Sequence, residues 1–229
     1  MIPLKDDNPT NTVPYVTWGI IGVNVIVFIY MLLLGPAGSH QFIRRYSVVP
    51  YELLSHGRPA GPEYLTTFTS MFVHGGFLHI AGNMLFLYIF GDNIEDYLGH
   101  FKYLFFYLVC GVASVLAQGL LSGGSRLPML GASGAISGVL AAYMILYPKA
   151  GVWTFFFFLF FWQVIKVPAI FIIGLWIVIQ VANGLMTLKA AGGGIAWFAH
   201  VGGFLAGAIL ILLFRKRNYK SNMDYWRTS

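Results

Sequence analysis

Residues 131–147 read GASGAISGVLAAYMILY, seventeen positions without a charge, closed by Pro148 and Lys149. Ala132–Tyr147 is therefore a membrane span. At 16 residues it is short, since crossing the hydrocarbon core takes about 20 helical residues. Gly134 and Gly138 stand four apart on one helical face, a small-residue surface that lets another helix come close. Ser133 opens the span at its first turn, where backbone N–H groups have no intrahelical partner and the helix dipole favours negative charge.

Working outward, the 229 residues are 58% hydrophobic and only 10% charged, against about 25% charged in a soluble domain. That excludes a soluble globule, a disordered chain and an ordinary nucleic-acid binder. The single cysteine, Cys110, lies in an apolar run, so neither an internal disulfide nor a cysteine metal site is available. The length makes room for one polytopic membrane domain of roughly six crossings. The other spans are Trp18–Leu34, Phe77–Gly91, Tyr103–Leu121, Ala169–Met186 and Ile195–Phe214. A polar start, residues 1–16, precedes them, and a tail from Arg215 follows. Gly35–Thr69 is a mixed connection long enough to imply structure or function of its own, and Asp92–Lys102 reads as a charged turn. Met1–Val16 lacks the layout of a cleavable signal or transit peptide.

Gly151–Ile165 is also apolar, but at 15 residues it is marginal as a crossing. With six spans and a cytoplasmic amino terminus, Lys5, Lys102, Lys149, Lys166, Arg215, Lys216, Arg217, Lys220 and Arg227 fall inside. Arg44, Arg45, Arg58, Arg126 and Lys189 fall outside. This agrees with the positive-inside tendency. A seventh span would carry the Arg215–Arg217 cluster across the membrane, so 151–165 is read as a re-entrant or interfacial piece.

Polar groups at membrane depth are costly and commonly functional. The second span begins His74-Gly75-Gly76-Phe77-Leu78-His79-Ile80-Ala81-Gly82-Asn83. His79 and Asn83, four apart, offer two donors on one face. Polar residues in bundles also simply bond neighbouring helices, and alone neither residue decides between these roles. The sixth span contains Ala199-His200-Val201-Gly202-Gly203-Phe204-Leu205-Ala206-Gly207. His200, Gly203 and Gly207 share a face, which sets an imidazole beside a glycine surface suited to the Ser133 helix. Serine is a weak nucleophile without a base in reach, and imidazole is the side chain suited to take its proton near neutral pH. The set is nucleophile Ser133, base His200, and oxyanion donors from Asn83, His79 and the Ser133 N–H. The acids Asp92, Glu95 and Asp96 fall at the far end of the second span, so the arrangement is a Ser–His pair without a third member. His79 and Asn83 make a poor metal site, and nothing calls for a cofactor.

The ordered motifs His74-x4-His79-x3-Asn83, Gly131-Ala132-Ser133-Gly134 and Ala199-His200-x2-Gly203-x3-Gly207, each on its own span, resemble the rhomboid family of intramembrane serine proteases. The resemblance runs roughly from Trp18 to Phe214. It implies an all-α, six-transmembrane-helix bundle over residues 17–214, with a short polar segment 1–16 and a basic tail 215–229. It implies an endopeptidase acting on transmembrane helices of other proteins within the lipid bilayer, with Ser133 as nucleophile, His200 as base, and Asn83 with His79 at the oxyanion. His74, Gly131, Gly134, Gly203 and Gly207 support them. Glu95 falls where the family often has a structural glutamate, and a solvated or packing carboxylate is the role expected. Two positions depart from the family pattern. Leu65-Thr66 stands where many members carry Trp-Arg. Ser137 stands where some place an aromatic against the catalytic imidazole, so Phe204 or Trp197 is expected to hold that ring.

Hydrolysis needs water, so a cavity above Ser133 is expected, with the glycine-rich loop Ala190–Gly194 as its lid. Helical amides are shielded, which predicts substrates with helix-weakening residues near the cut and a small residue before it. The fifth span, with Trp176, is the expected lateral gate. The rival readings are a non-catalytic holder of client helices and a small transporter; no internal repeat of the transporter kind is found. The simplest location is a prokaryotic cytoplasmic membrane with both termini inside.

Overall fold

The computed structural model describes residues 1–55, 63–122, 125–158, 161–189 and 195–215. The chain runs through β1 (Ile2–Asp6), α1 (Tyr15–Leu33), α2 (Gly35–Tyr46), α3 (Pro50–Ser55) and α4 (Glu63–Thr69) into a 3-10 turn (Ser70–Phe72). There follow α5 (Phe77–Leu98), α6 (His100–Ser122), α7 (Ser133–Leu146), β2 (Gly151–Phe158), β3 (Phe161–Pro168), α8 (Ala169–Lys189) and α9 (Trp197–Leu213). Helix α7 is the axis: every residue from Gly134 to Tyr143 is buried, as its apolar, charge-free circumference requires. Its small residues admit α5, α6 and α9 around it, and Phe90, Tyr103, Phe106, Tyr107, Leu140 and Tyr143 fill the space between. Apolar side chains such as Ile26, Leu33, Phe101, Phe171 and Leu213 face outward, a surface suited to lipid.

Among the described residues, three helical stretches are individually long and apolar enough to cross a membrane: Tyr15–Leu33, His100–Ser122 and Ala169–Thr187. A fourth joins them if Leu65–Phe72 and Phe77–Leu98, bent by 93° to one another, count as one span. Ser133–Leu146 and Trp197–Leu213 are apolar but shorter. The protein is thus a mostly helical, multi-pass membrane protein, and the six crossings are not reached by helix length alone.

The all-α reading needs correction. The piece 151–165, expected to be re-entrant or interfacial and to lead into the fifth span through Pro168, is built as strands: β2 and β3 form an antiparallel hairpin, paired from Gly151↔Pro168 to Phe158↔Phe161, and β1 adds antiparallel to β2 from Ile2↔Phe155 to Asp6↔Val152. The run is rich in aromatic and β-branched residues, which fit a pleated surface. Val152 and Thr154 are fully buried on one face, while Trp153, Phe157 and Trp162 stand out on the other. The polar start thus contributes a strand to a sheet. Asp7 accepts from the Gly151 N–H at 2.7 Å and pairs with Lys166, and Asp6 accepts from the Tyr143 hydroxyl.

The expected charged turn is also different. Helix α5 runs on through Asp92, Glu95 and Asp96 to Leu98, and the chain turns at Gly99 with φ +80°. Of the two roles expected of Glu95, solvated or packing, the structure excludes the solvated one. Fully buried, it accepts from the Val16 and Thr17 N–H groups at 2.8 and 2.7 Å and meets His100 Nδ1 at 2.6 Å. It supplies, from a second helix, partners that the first turn of α1 lacks. On the opposite side, the stretch 35–69 holds α2, α3 and α4. Val48 exchanges backbone bonds with Met129 at 3.0 and 2.6 Å, tying this connection to the strand of chain that enters α7.

Candidate active site

The approach to α7 is fixed at Gly131. Its φ of +113° suits only glycine comfortably, and its N–H donates to the Ser70 carbonyl at 2.8 Å. A Cβ there would lie 2.6 Å from His79 Nε2 and 3.5 Å from Asn83 Nδ2. The missing side chain is what lets those two polar groups crowd the turn just before Ser133. The Gly75 N–H donates to His79 Nδ1 at 3.5 Å, which leaves Nε2 as the protonated, donating nitrogen on the Gly131 side. Asn83 is buried, and its Nδ2 donates one hydrogen to His74 Nε2 at 2.9 Å. The Ala132 N–H reaches the same His74 nitrogen at 3.5 Å. His74 therefore stands behind Asn83 and braces it.

Helices α7 and α9 meet backbone to backbone. A Cβ on Gly203 would stand 1.9 Å from the Gly134 carbonyl oxygen, and one on Gly207 would stand 2.4 Å from Gly138 Cα. Gly134 in turn has no room for a Cβ against Ser114 Oγ. This close crossing brings His200 Nε2 to 2.8 Å from Ser133 Oγ. The Gln118 side chain on α6 accepts from the Ala199 N–H at 3.1 Å, which anchors the turn that carries His200.

A cavity of about 670 Å³ opens over this pair, lined by Ser133, His200, His79, Trp176, Gln180 and Trp197 among others. Asn83 and His74 are not among its lining residues, but Asn83 Nδ2 reaches the lining turn at Gly131. Among the described residues no three His, Cys, Asp or Glu side chains come together as a metal group. The lid expected at Ala190–Gly194, and the tail beyond Arg215, lie outside the described residues.

Of the two residues expected to hold the imidazole, Trp197 meets the ring and Phe204 does not, and Trp176 adds a second contact. Trp176 lies beside the His200 ring at 5.6 Å between centroids and 42° between planes, and Trp197 meets it edge-on at 6.4 Å. Phe204 instead packs in the core. Ser137 takes no part in holding the ring: its hydroxyl donates to the Ser133 carbonyl at 2.6 Å. The residue that sequence reasoning passed over is Gln180, whose Oε1 lies 2.7 Å from His200 Nδ1. The signal was present, for Gln180 is a strongly polar group in an apolar span and sits one turn after Trp176.

A bundle of apolar helices with a serine–histidine pair at the head of a short central helix, beneath a cavity, defines a class of membrane proteins built around that pair. The Rhomboid domain family model matches residues 61–217, and the chain belongs to the rhomboid family. It is similar to Rhomboid protein 1, mitochondrial, of Saccharomyces cerevisiae, 27% identical over 84% of this chain and 51% of that protein. It is similar to Rhomboid-like protein 11, chloroplastic, of Arabidopsis thaliana, 26% identical over 84% of this chain and 66% of that protein. With Rhomboid protease GluP of Bacillus subtilis it is 27% identical over 58% of this chain and 25% of that protein. The chain thus spans between half and two thirds of the first two relatives' length. Two of the three are organellar by name, which gives no support to the prokaryotic inner membrane expected from the sequence.

Proposed function

We propose that this protein is an intramembrane serine endopeptidase that cleaves transmembrane segments of other membrane proteins. The observation that carries the reading is the 2.8 Å contact of Ser133 Oγ with His200 Nε2 at the floor of the cavity. Ser133 Oγ attacks the peptide carbonyl carbon while its proton passes to His200 Nε2. The carbonyl oxygen becomes an oxyanion facing the Ser133 N–H, His79 Nε2 and Asn83 Nδ2, donors set in place before the charge develops. The tetrahedral intermediate collapses as the imidazolium gives its proton to the departing amine, leaving an ester on Ser133. Water then repeats the sequence, with His200 as base, and frees the enzyme.

In this reading α1, α5, α6, α7, α8 and α9 are the six crossings, and the sheet, Lys5, Lys102, Lys149, Lys166 and Arg215 face the cytoplasm. Helix α7, 14 residues long, spans about 21 Å, short of the roughly 30 Å hydrocarbon core. Ser133 therefore starts below the outer surface with water above it. Substrates have to unwind locally to present a carbonyl, which favours helix-weakening sequences with a small residue before the cut, admitted past α8.

The test is cleavage of a transmembrane reporter in detergent and in liposomes by wild type, Ser133→Ala and His200→Ala, together with fluorophosphonate labelling of Ser133. Cleavage and labelling by wild type alone are the expected result. Cutting by both variants removes the assignment, and a wild type that binds reporters yet neither cuts nor labels favours the client-holding rival.

A further inference from the structure

We propose that Gln180 is the positioning residue of the pair: from α8 it fixes the tautomer and the orientation of His200. The inference rests on the assignment of Ser133 and His200 as nucleophile and base.

Trp176 and Gln180 are one turn apart and so share a face of α8. Gln180 is buried, its Nε2 donates to the Trp176 carbonyl at 3.2 Å, and its Oε1 lies 2.7 Å from His200 Nδ1. These contacts determine one another. A backbone carbonyl only accepts, so the NH2 end of the amide faces Trp176 and the oxygen faces the imidazole. That oxygen also only accepts, so Nδ1 of His200 carries the proton. The neutral ring then presents the lone pair of Nε2 to Ser133 Oγ at 2.8 Å. Only this tautomer can take the serine proton. The alternative tautomer would set two acceptors, Nδ1 and Oε1, against each other and direct an N–H at the hydroxyl.

The tryptophan of the same pair holds the ring as well, with Trp176 beside the imidazole at 5.6 Å. Where an aqueous triad uses a carboxylate for this task, burying a carboxylate at membrane depth is costly, and a glutamine sets the tautomer without a charge. Among the described residues lining the cavity, His79 of α5 is the titratable side chain besides His200. Helices α6, α7, α8 and α9 bring Ser114, Ser133, Trp176 and Trp197 to it, and no carboxylate, lysine or arginine.

The experiment compares wild type, Gln180→Leu and Gln180→Glu for reporter kinetics and fluorophosphonate labelling rate across pH. Removing the acceptor in Gln180→Leu is expected to lower kcat and the labelling rate by about 100-fold, with KM within about twofold. Gln180→Glu keeps an acceptor oxygen and restores at least a tenth of the wild-type kcat, with the acidic limb of its profile no lower than that of wild type. A second measurement needs no activity: 15N-histidine spectra of Ser133→Ala report the Nδ1–H form of His200, and a mixture once Gln180→Leu is added. Gln180→Met replaces leucine if that variant does not fold. Wild-type labelling and kcat in Gln180→Leu, or an unchanged tautomer, overturn the inference. A wild type that neither labels nor cleaves overturns the protease reading instead.

Discussion

Gly203 is in backbone contact with Gly134: a Cβ added to Gly203 would stand 1.9 Å from the Gly134 carbonyl oxygen. Neither partner is a flexible side chain that could turn away, so Gly203→Ala has to push α9 off α7. Such overpacking costs on the order of 3 kcal/mol, and the displacement falls on the Ser133–His200 distance, where a 1 Å error costs about 10²-fold in rate. Gly203→Ala is expected to lower the thermal unfolding temperature and to abolish measurable cleavage. Gly19→Ala and Gly22→Ala on α1, where a Cβ meets nothing within 4 Å, leave both unchanged. Equal behaviour of the three variants, measured by thermal scans and a reporter assay in the same detergent, contradicts this account of the crossing.

The polar groups around Gly131 separate into a donor and its brace. Asn83 Nδ2 has a second hydrogen beyond the one given to His74, and that hydrogen is the one assigned to the oxyanion. Asn83→Ala should therefore reduce kcat by about 10²–10³ with little change in KM, the usual cost of removing such a donor. His74→Ala leaves the donor present but unbraced, and a loss of about tenfold is expected, the low end for groups that orient a functional side chain. A larger loss in His74→Ala than in Asn83→Ala would reverse the roles.

How far these roles could be read beforehand depends on the kind of signal. Ser133, His200, His79 and Asn83 stood out because each is polar within an otherwise apolar span, where the energetic penalty makes coincidence rare. Gln180 is polar in the same sense but remote from any motif, and its partner depends on which helix lies beside α9, a tertiary fact. The β2–β3 hairpin escaped for a different reason. A continuous apolar run such as Phe155–Phe158 has the same periodicity in a buried strand as in a buried helix. The choice between a solvated and a packing Glu95 stays open in the sequence because its partners, the Val16 and Thr17 N–H groups, are backbone atoms 79 and 78 residues away. Side-chain patterns carry no trace of them.

Glu95 gives the next expectation. Its carboxylate is the partner of two N–H groups in the first turn of α1 and of His100, all at 2.6–2.8 Å. Hydrogen bonds to a charged group contribute about 1.5–3 kcal/mol, and orphaned buried donors add their own penalty. Glu95→Ala should be strongly destabilising, by about 3 kcal/mol or more, and Glu95→Gln, which keeps one acceptor oxygen, less so. The order of unfolding temperatures, wild type above Glu95→Gln above Glu95→Ala, checks the assignment. An alanine variant as stable as wild type would show the contacts to be incidental.

Asp6, on the sheet outside the spanning helices, links stability to pH. Burial pushes its carboxyl up from 3.8 to about 6, the neighbouring Asp7 charge acts in the same direction, and the hydrogen bond from the Tyr143 hydroxyl opposes both. The folded protein thus holds this proton more tightly than the unfolded chain does. Its contribution to stability is complete below pH 3.8 and is lost as pH rises through about 6. Asp6→Asn retains an oxygen to accept from Tyr143 and cannot titrate. Relative to Asp6→Asn, the wild type should therefore lose unfolding temperature between pH 4 and about 6.5 and run parallel above pH 7. Taking the difference between the two proteins cancels the carboxylates that do not interact with Asp6, so curves parallel across the whole range would mean that Asp6 titrates alike in the folded and unfolded states.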